Sequence, residues 1–430
     1  MQADLMRHFL PGLLKCQDRY VYFLMSQNEA PIHYPREGFR PRNDFVLVFS
    51  LALMIRLLLA AFTYNAPPLE DLQRYHQVGA AVLVGGSAYD LNSTAYPYAP
   101  PWMFIETGAV WVSQQTGIAF DFIVKLPVVI ADALIAIVIY AALRNDARRV
   151  RLGWSLAYAL NPLAIMVSAG HGQFDALPVL GMLLAWVWFP THPRWSALAL
   201  GCAIALKLYP VLLLLPLLLR FDLEQRRTLL VPWLILVCAP LGIVLVPFLL
   251  RGQWDALLRP LQYGFVGTTQ LGILTFMSDL GVPIRGITPG VQQNDLWTQI
   301  FSRGRLSILL RGVLAVGVIA LGIRAWRNLR RIEALPLVLV LLVYLLSGLA
   351  VQYLIWVLPF GLLRRDRLTL LYTALASVLA AALYLTAFPS VLLGARTIPL
   401  MLDPIVVSGL NGALYVMILG WFFRLVSRGA

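Results

Sequence analysis

Apolar stretches long enough to cross a bilayer recur from about residue 46 to about residue 424 of this 430-residue chain. A helix needs roughly 18 to 22 such residues to span the hydrocarbon core, where every backbone N–H and C=O must be bonded internally, so repeated stretches of this length point to helices rather than barrel strands. Composition agrees: 60% of the residues are hydrophobic and only 13% are charged, a balance no water-soluble surface of this size tolerates. The expectation is an all-α polytopic membrane protein with one transmembrane domain over 46–424, preceded by a cytoplasmic segment 1–45 and followed by a short tail 425–430. Residues 4–25 read as an amphipathic helix lying on the cytoplasmic surface, with Leu5, Met6, Phe9, Leu10, Leu13 and Leu14 on one face. Arg7, Lys15, Asp18 and Arg19 break up any signal-peptide core there, and Cys16, Cys202 and Cys238 are too scattered for a disulfide or metal framework.

The formal charge of +13 does not point to nucleic acid, because the basic residues lie in short clusters between spans instead of along one face. Positive-inside bias puts those clusters, such as Arg144 to Arg151 and Arg220 to Arg227, on the cytoplasmic side. Threading the chain on that rule gives spans at about 46–63, 122–143, 152–168, 174–190, 229–250, 304–323, 335–350, 354–363, 368–388 and 406–423. The stretch 102–118 is apolar enough to cross, but a crossing would carry the Arg144 cluster outside, so it reads as an external juxtamembrane helix. Residues 196–220 read as two short helices turning at the outer side, since Lys207 sits mid-stretch and Pro210 follows. The total is about twelve spans, with both ends cytoplasmic and external loops at about 64–121, 169–173, 251–303 and 389–405.

Sorting the remaining polar residues by side gathers them outside. In the first loop Glu70 and Asp71 open a helix that also carries Arg74 and His76. An aspartate there serves as a general base on an acceptor hydroxyl if it comes within hydrogen-bond reach, or simply as a helix cap. "VSAGHGQFDALP" brings His171, Gln173 and Asp175 together around two glycines that would let backbone approach a ligand; a capped turn is the plainer reading. Lys207 lies in an apolar stretch, where an ammonium either snorkels or meets an anion such as a lipid phosphate, and Lys125 at the outer end of its span is a second phosphate candidate. Arg56 and Asp132 fall at comparable depth inside spans and are expected to pair, structurally rather than catalytically. No P-loop, dinucleotide fingerprint, HExxH or nucleophile elbow is present.

These motifs resemble, in order, those of the GT-C superfamily of integral membrane glycosyltransferases, which take sugars from polyprenyl-phosphate carriers. "LNPLAIMVSAGHGQFDALPVLGMLLAW" resembles the asparagine-proline pair and HGHFQYN-type loop of the glucosyltransferases that extend the lipid-linked N-glycan precursor. Its second histidine falls on His171, its glutamine on Gln173 and its asparagine on Asp175, while Ala169 replaces the first histidine. "YPYAPPW", with Tyr96 and Tyr98, is similar to that group's YPPL element. "LEDLQRYH" is similar to the DxDY region of the mannosyltransferase that adds the first mannose in glycosylphosphatidylinositol assembly, with Asp71 on the second acid and Leu69 in place of the first. "ALKLYPV" resembles that family's KIYPV element, putting Lys207 on the matching lysine, and "VQYLIWVLPF", with Gln352, recurs in many such enzymes.

The resemblance, over about 46–365, implies a GT-C-type bundle and inverting hexose transfer, of mannose or glucose, from a polyprenyl-phosphate donor to a lipid-linked or glycan acceptor on the external face. Asp71, with Glu70 beside it, would be the base; Lys207, His171 and Lys125 would hold the donor phosphate. Gln173, Asp175, Arg74, His76, Tyr96, Tyr98 and Gln352 would line the substrates, and loop 251–303, with Gln270, Gln292 and Asn294, would read the acceptor. No cofactor is expected; a divalent metal is possible but not implied, since a single phosphate can leave on lysine and histidine. The other expected partners are membrane lipids, in the plasma (inner) membrane of a prokaryote, and the chain is expected to act as a monomer without nucleic acid. A polyprenyl-lipid flippase or secondary transporter is the alternative that midplane charges would suit, although polar residues collect at one face and no internal repeat is visible. A non-catalytic scaffold of the same fold is a third reading, one that would have no need of an acid beside a phosphate-binding lysine.

Overall fold

In the computed structural model, residues 41–67, 69–89, 96–263, 270–282, 284, 303–394 and 402–428 are described. The amphipathic helix expected at 4–25, most of the acceptor loop beyond residue 284 including Gln292 and Asn294, and residues 395–401 lie outside them. The described chain is helical almost throughout, and it is a polytopic membrane protein: seven helical segments are long and apolar enough to cross a bilayer. They are Asn43–Phe62, Phe120–Ala142, Arg148–His171, Leu230–Leu250, Ile308–Arg327, Leu368–Ala387 and Pro404–Ser427. Four shorter apolar segments accompany them, Ala176–Trp188, Pro193–Leu206, Tyr209–Arg220 and Val351–Leu363, so several of the expected spans are realised as short helices packed among the long ones.

The helices that matter for the site are α1 (Pro41–Phe62), α2 (Glu70–Leu83), α3 (Pro100–Thr116), α4 (Phe120–Ala142) and α5 (Arg148–Ala159). They are followed by α6 (Ala176–Trp188), α7 (Pro193–Leu206), α8 (Leu230–Leu250), α9 (Arg303–Arg327), α10 (Leu335–Leu346), α11 (Leu368–Ala387) and α12 (Pro404–Arg428). The central layer is α4, packed against α1, α5 and α6, and its inward residues Val124, Val128, Ile135 and Ile139 are fully buried. By contrast α8 and α9 keep Val231, Ile235, Ile243, Ile308, Val316 and Ile319 exposed, as expected of helices that face lipid. A two-residue antiparallel pairing, Leu271–Gly272 with Gly348–Leu349, clips the long loop to the segment after α10.

Charges tie the helix ends. Arg148 grips Asp44 with two hydrogen bonds of 2.6 and 2.8 Å, and the Tyr140 hydroxyl donates to the same carboxylate at 2.7 Å, joining the starts of α1 and α5 to the end of α4. Arg220, from one of the basic clusters, pairs with Glu333 at 2.5 Å and lies over the Trp186 ring.

The stretch expected to stay on the outer surface forms α2 and α3, which pack on each other. Two prolines, Pro100 and Pro101, start α3, and Gly117 ends it in the left-handed region at φ 71°. The helices approach so closely at Gly79 that a Cβ there would lie 2.6 Å from the Glu106 carbonyl oxygen and 2.8 Å from its carbon. Backbone cannot give way as a flexible side chain can, so Gly79→Ala is expected to destabilise by about 1–3 kcal/mol despite alanine's better helix propensity. Thermal unfolding in detergent micelles tests this, and a melting temperature at or above that of the parent protein would contradict the close-packing assignment.

Candidate functional site

The asparagine-proline pair before the polar loop is a helix start. Asn161 Oδ1 accepts the Ala164 N–H at 3.1 Å and Pro162 follows at the first helical position, where its missing N–H costs nothing. The short helix Pro162–Ile165 then widens into a π-turn over Met166–His171, which Gly172 ends at φ 82°. Such turns insert one extra residue into the helical register and so re-aim the side chains beyond them. Here the π-turn delivers His171 and Gln173 to the start of α2. The flanking glycines make room for protein rather than for a ligand: a Cβ at Gly170 would meet Val391 at 2.8 Å, and one at Gly172 would meet Lys125 at 3.0 Å and Leu72 at 3.1 Å.

Beneath the π-turn lies the Arg56–Asp132 pair, 2.6 Å between Nε and Oδ2, with both side chains wholly buried. Tyr158 donates to Asp132 Oδ1 at 2.6 Å, and the Ser168 hydroxyl, on the π-turn itself, lies 2.6 Å from Oδ2. Arg56 also donates to the Ala52 and Ala159 carbonyls at 3.0 and 2.8 Å. This pair links α1, α4, α5 and the π-turn, which makes it a buried hydrogen-bonded brace.

Above it, donors converge on Asp71, which sits in the first turn of α2, where the helix dipole favours a carboxylate. It caps nothing: Leu69 occupies the N-cap position, without a side-chain cap. Gln173 Nε2 donates to Asp71 Oδ2 at 2.5 Å, and His171 Nε2 lies 3.3 Å from the same oxygen. The Tyr75 hydroxyl meets Gln173 Oε1 at 3.3 Å, and the Tyr384 hydroxyl meets His171 Nδ1 at 3.1 Å. Burial pushes the Asp71 carboxyl up, but the hydrogen bond from His171, with the charges of Arg74 and Lys207, more than offsets it and holds it below its ordinary value. The side chain is 36% exposed, so the carboxylate is both ionised and reachable.

A second group lies further along the loop. Lys207 breaks the chain after α7 in an extended conformation, followed by the turn Tyr209–Leu213, as its neighbouring proline led one to expect. Its Nζ donates to Asp175 Oδ2 at 2.7 Å and lies over the Phe174, Tyr98 and Tyr353 rings at 4.5, 5.5 and 5.5 Å. Trp356 Nε1 donates to the other oxygen of Asp175 at 2.8 Å. Lys207 lines a largely apolar cleft of about 110 Å³, whose walls include Tyr98, Tyr209, Leu314, Tyr353 and Trp356. Phe174, stacked 4.2 Å from Trp102, lies between Lys207, 4.5 Å over its ring, and Tyr75 of the Asp71 group, 6.2 Å from it between centroids.

Several expected roles do not survive this geometry. Lys125 is buried against Thr63 Oγ1 at 3.2 Å and the Gly170 carbonyl at 2.9 Å, so its ammonium ties the loop to the end of α1. Asp175, fully buried, neutralises Lys207 and cannot touch a substrate. Glu70 pairs with Arg74 on the exposed side of α2, and His76 is exposed with its ring against Phe120, because a helix turns these positions away from Asp71. Tyr96 is buried among Tyr89 and Tyr98 rather than lining the cleft. Gln352 is buried on the turn Val351–Ile355, while its neighbour Tyr353 reaches Lys207. Gln270 accepts the Val351 N–H at 3.3 Å and so anchors its loop.

Sequence reading missed four members. Tyr75, Tyr384 and Trp356 are polar-tipped aromatics that look like core residues until their partners are known. Glu106, in the apolar "MFIETGAV", is wholly buried, and among the described residues its carboxyl oxygens meet no hydrogen-bond partner. Burial pushes that carboxyl well above its usual range, opposed only by the nearby Tyr96 hydroxyl. A lone acidic residue in an apolar run was the available signal. Among the described residues no three His, Cys, Asp or Glu side chains come together as a metal site.

Comparison with known proteins adds one finding. Residues 68–284, just over half of the chain, match the family described as PIG-U, the GPI transamidase subunit. The match begins at the turn that leads into Asp71 and runs past α6, α7 and Lys207, so it covers most of the arrangement described above. No curated protein matches the chain. Covering just over half of the chain, that match decides the family: the chain belongs to the PIG-U family.

Proposed function

We propose that this chain is a polyprenyl-phosphate-sugar-dependent glycosyltransferase of GT-C type, working at the external face of the membrane with Asp71 as general base. The observation that carries the reading is a partly exposed carboxylate, Asp71, held ionised in part by the charge of Lys207, a lysine that lines an apolar cleft. Both donors to Asp71 converge on Oδ2, so Oδ1 is left to take the acceptor's proton. The acceptor oxygen then bonds to the anomeric carbon, the bond from that carbon to the phosphate oxygen breaks, and polyprenyl phosphate leaves. Lys207 spends one of its three N–H groups on Asp175, and the other two are available to the departing phosphate. The apolar walls of the cleft suit the isoprenoid chain.

A second reading comes from the family: a subunit that binds a lipid-linked glycan in the same cleft without transferring sugar, as part of a transamidase-like complex. The two separate in one assay. Purified protein is offered a panel of short-chain polyprenyl-phosphate sugars with membrane lipid extract; transfer from one donor supports the transferase, whereas saturable glycolipid binding with no transfer from any donor supports the subunit.

The depressed Asp71 carboxyl sets the pH behaviour. The folded form holds this proton less tightly than the unfolded chain, so the stability it contributes is present above the ordinary carboxylate range and lost as pH falls through the lower folded value. The acid limb of kcat/KM is accordingly expected below the ordinary carboxylate range. In Gln173→Leu, which deletes a donor to Oδ2, that limb should move to higher pH; an unmoved limb would mean that Asp71 does not govern it.

A further inference from the structure

His171 stands between two groups with opposite needs. On one side Asp71, ionised, can only accept, so the 3.3 Å contact with Oδ2 needs a proton on Nε2. On the other, Tyr384, on α11 and 213 residues away in sequence, lies 3.1 Å from Nδ1. The Tyr384 hydroxyl is fully buried, and His171 is the one hydrogen-bond partner it has among the described residues. If Nδ1 carried a proton, the phenol would have to accept, leaving its own O–H without a partner in an apolar surround, an arrangement costing about 1–3 kcal/mol. If Nδ1 is bare, the phenol donates, and the Gln173 amide nitrogen, 3.4 Å from Nε2, keeps its hydrogen bond to Asp71. The ring packs edge-on to Tyr384 at 5.5 Å between centroids and tilted against Phe388 at 5.8 Å.

From this geometry we propose that Tyr384 is a positioning residue that fixes His171 as the neutral Nε2–H tautomer, and thereby keeps a donor aimed at Asp71 Oδ2. Gln173 completes the arrangement: its amide carbonyl takes the Tyr75 hydroxyl, which turns its NH₂ toward Asp71. Two phenols thus set the polarity of two donors, and both donors end on one oxygen of one carboxylate. The consequence for the reaction rests on the reading of Asp71 as base; the tautomer does not.

The test is therefore spectroscopic first. Protein labelled with ¹⁵N-histidine is placed in nanodiscs at mildly alkaline pH, and of the five histidines His171 is identified by the signal lost in His171→Gln. The expected spectrum has the proton on Nε2 and an unprotonated, hydrogen-bonded Nδ1. In Tyr384→Phe, which keeps the ring and removes only the hydroxyl, the Nδ1 signal should move to the position of a free acceptor and the second tautomer should become populated. A proton on Nδ1 in the parent protein, or a spectrum unchanged in Tyr384→Phe, would overturn the proposal. Should Tyr384→Phe fail to fold, Asp71→Asn decides: with Tyr384 present, Nδ1 should stay bare, and a mixture of tautomers there would assign the control to Asp71 instead. None of these outcomes depends on sugar transfer, so loss of the transferase reading and loss of this one are told apart.

Discussion

Asp71→Asn is expected to lower kcat for sugar transfer by about 10²–10⁴-fold, the usual contribution of a positioned general base, with little change in the KM for the polyprenyl-phosphate donor. The substitution is close to isosteric. Its amide oxygen can still accept from Gln173 and His171 where Oδ2 does now, so the loop and the start of α2 should hold their places. What is lost is the ability to take a proton, which matters only as the acceptor oxygen attacks; interactions made only in the transition state appear in kcat. Lys207→Gln should behave differently, raising the donor KM, because it removes a charge from the wall of the cleft and also strands Asp175. The measurement is initial rate against donor concentration for the three proteins. Equal kcat in parent and Asp71→Asn, with transfer present in both, would remove Asp71 from the chemistry.

The second large effect is structural. Arg56→Leu is expected to cost about 3–5 kcal/mol, because it leaves Asp132 buried with Tyr158 and Ser168 but without its counter-charge. The double variant Arg56→Leu with Asp132→Leu should recover much of that loss, since the cost comes from the unpaired charge and not from absence of the pair. Unfolding of all three in one detergent checks this. A double variant no more stable than Arg56→Leu would mean the pair stabilises the fold in its own right. Because Ser168 ties Asp132 to the π-turn, Arg56→Leu should also perturb the His171 signal although it lies on another helix.

The two predictions draw on parts of the molecule that were unequally visible beforehand. Arg56 and Asp132 could be matched from sequence because depth in a membrane follows from residue count, and two opposite charges at one depth have a strong reason to meet. The break at Lys207 was legible in the proline that comes soon after it, since a missing N–H and a fixed φ act locally. The gathering of Asp71, His171 and Gln173 was suggested by the order of short motifs, and they do meet, at 2.5 and 3.3 Å.

Partners were harder. Lys207 and Lys125 look alike in sequence, each a lone ammonium in an apolar run, yet one lines a cleft beside Asp175 and the other is sealed under the loop. The difference lies in which element packs over each, and hydropathy does not carry that information. Glu70 and Asp71 are neighbours whose side chains diverge by about 100° around a helix of 3.6 residues per turn, so one faces solvent and the other the site.

What this sequence determined by itself was the class of the molecule, its helices and their breaks, because hydrophobic length, proline geometry and the cost of unpaired charge act along the chain or at a known depth. What only the tertiary structure decided was which polar group answers which: Asp175 for Lys207, Tyr384 for His171, the outward turn of Glu70, and the buried Glu106. A hydrogen bond acts over about 3 Å, whereas Tyr384 and His171 stand 213 positions apart, and nothing short of folding brings them within that reach.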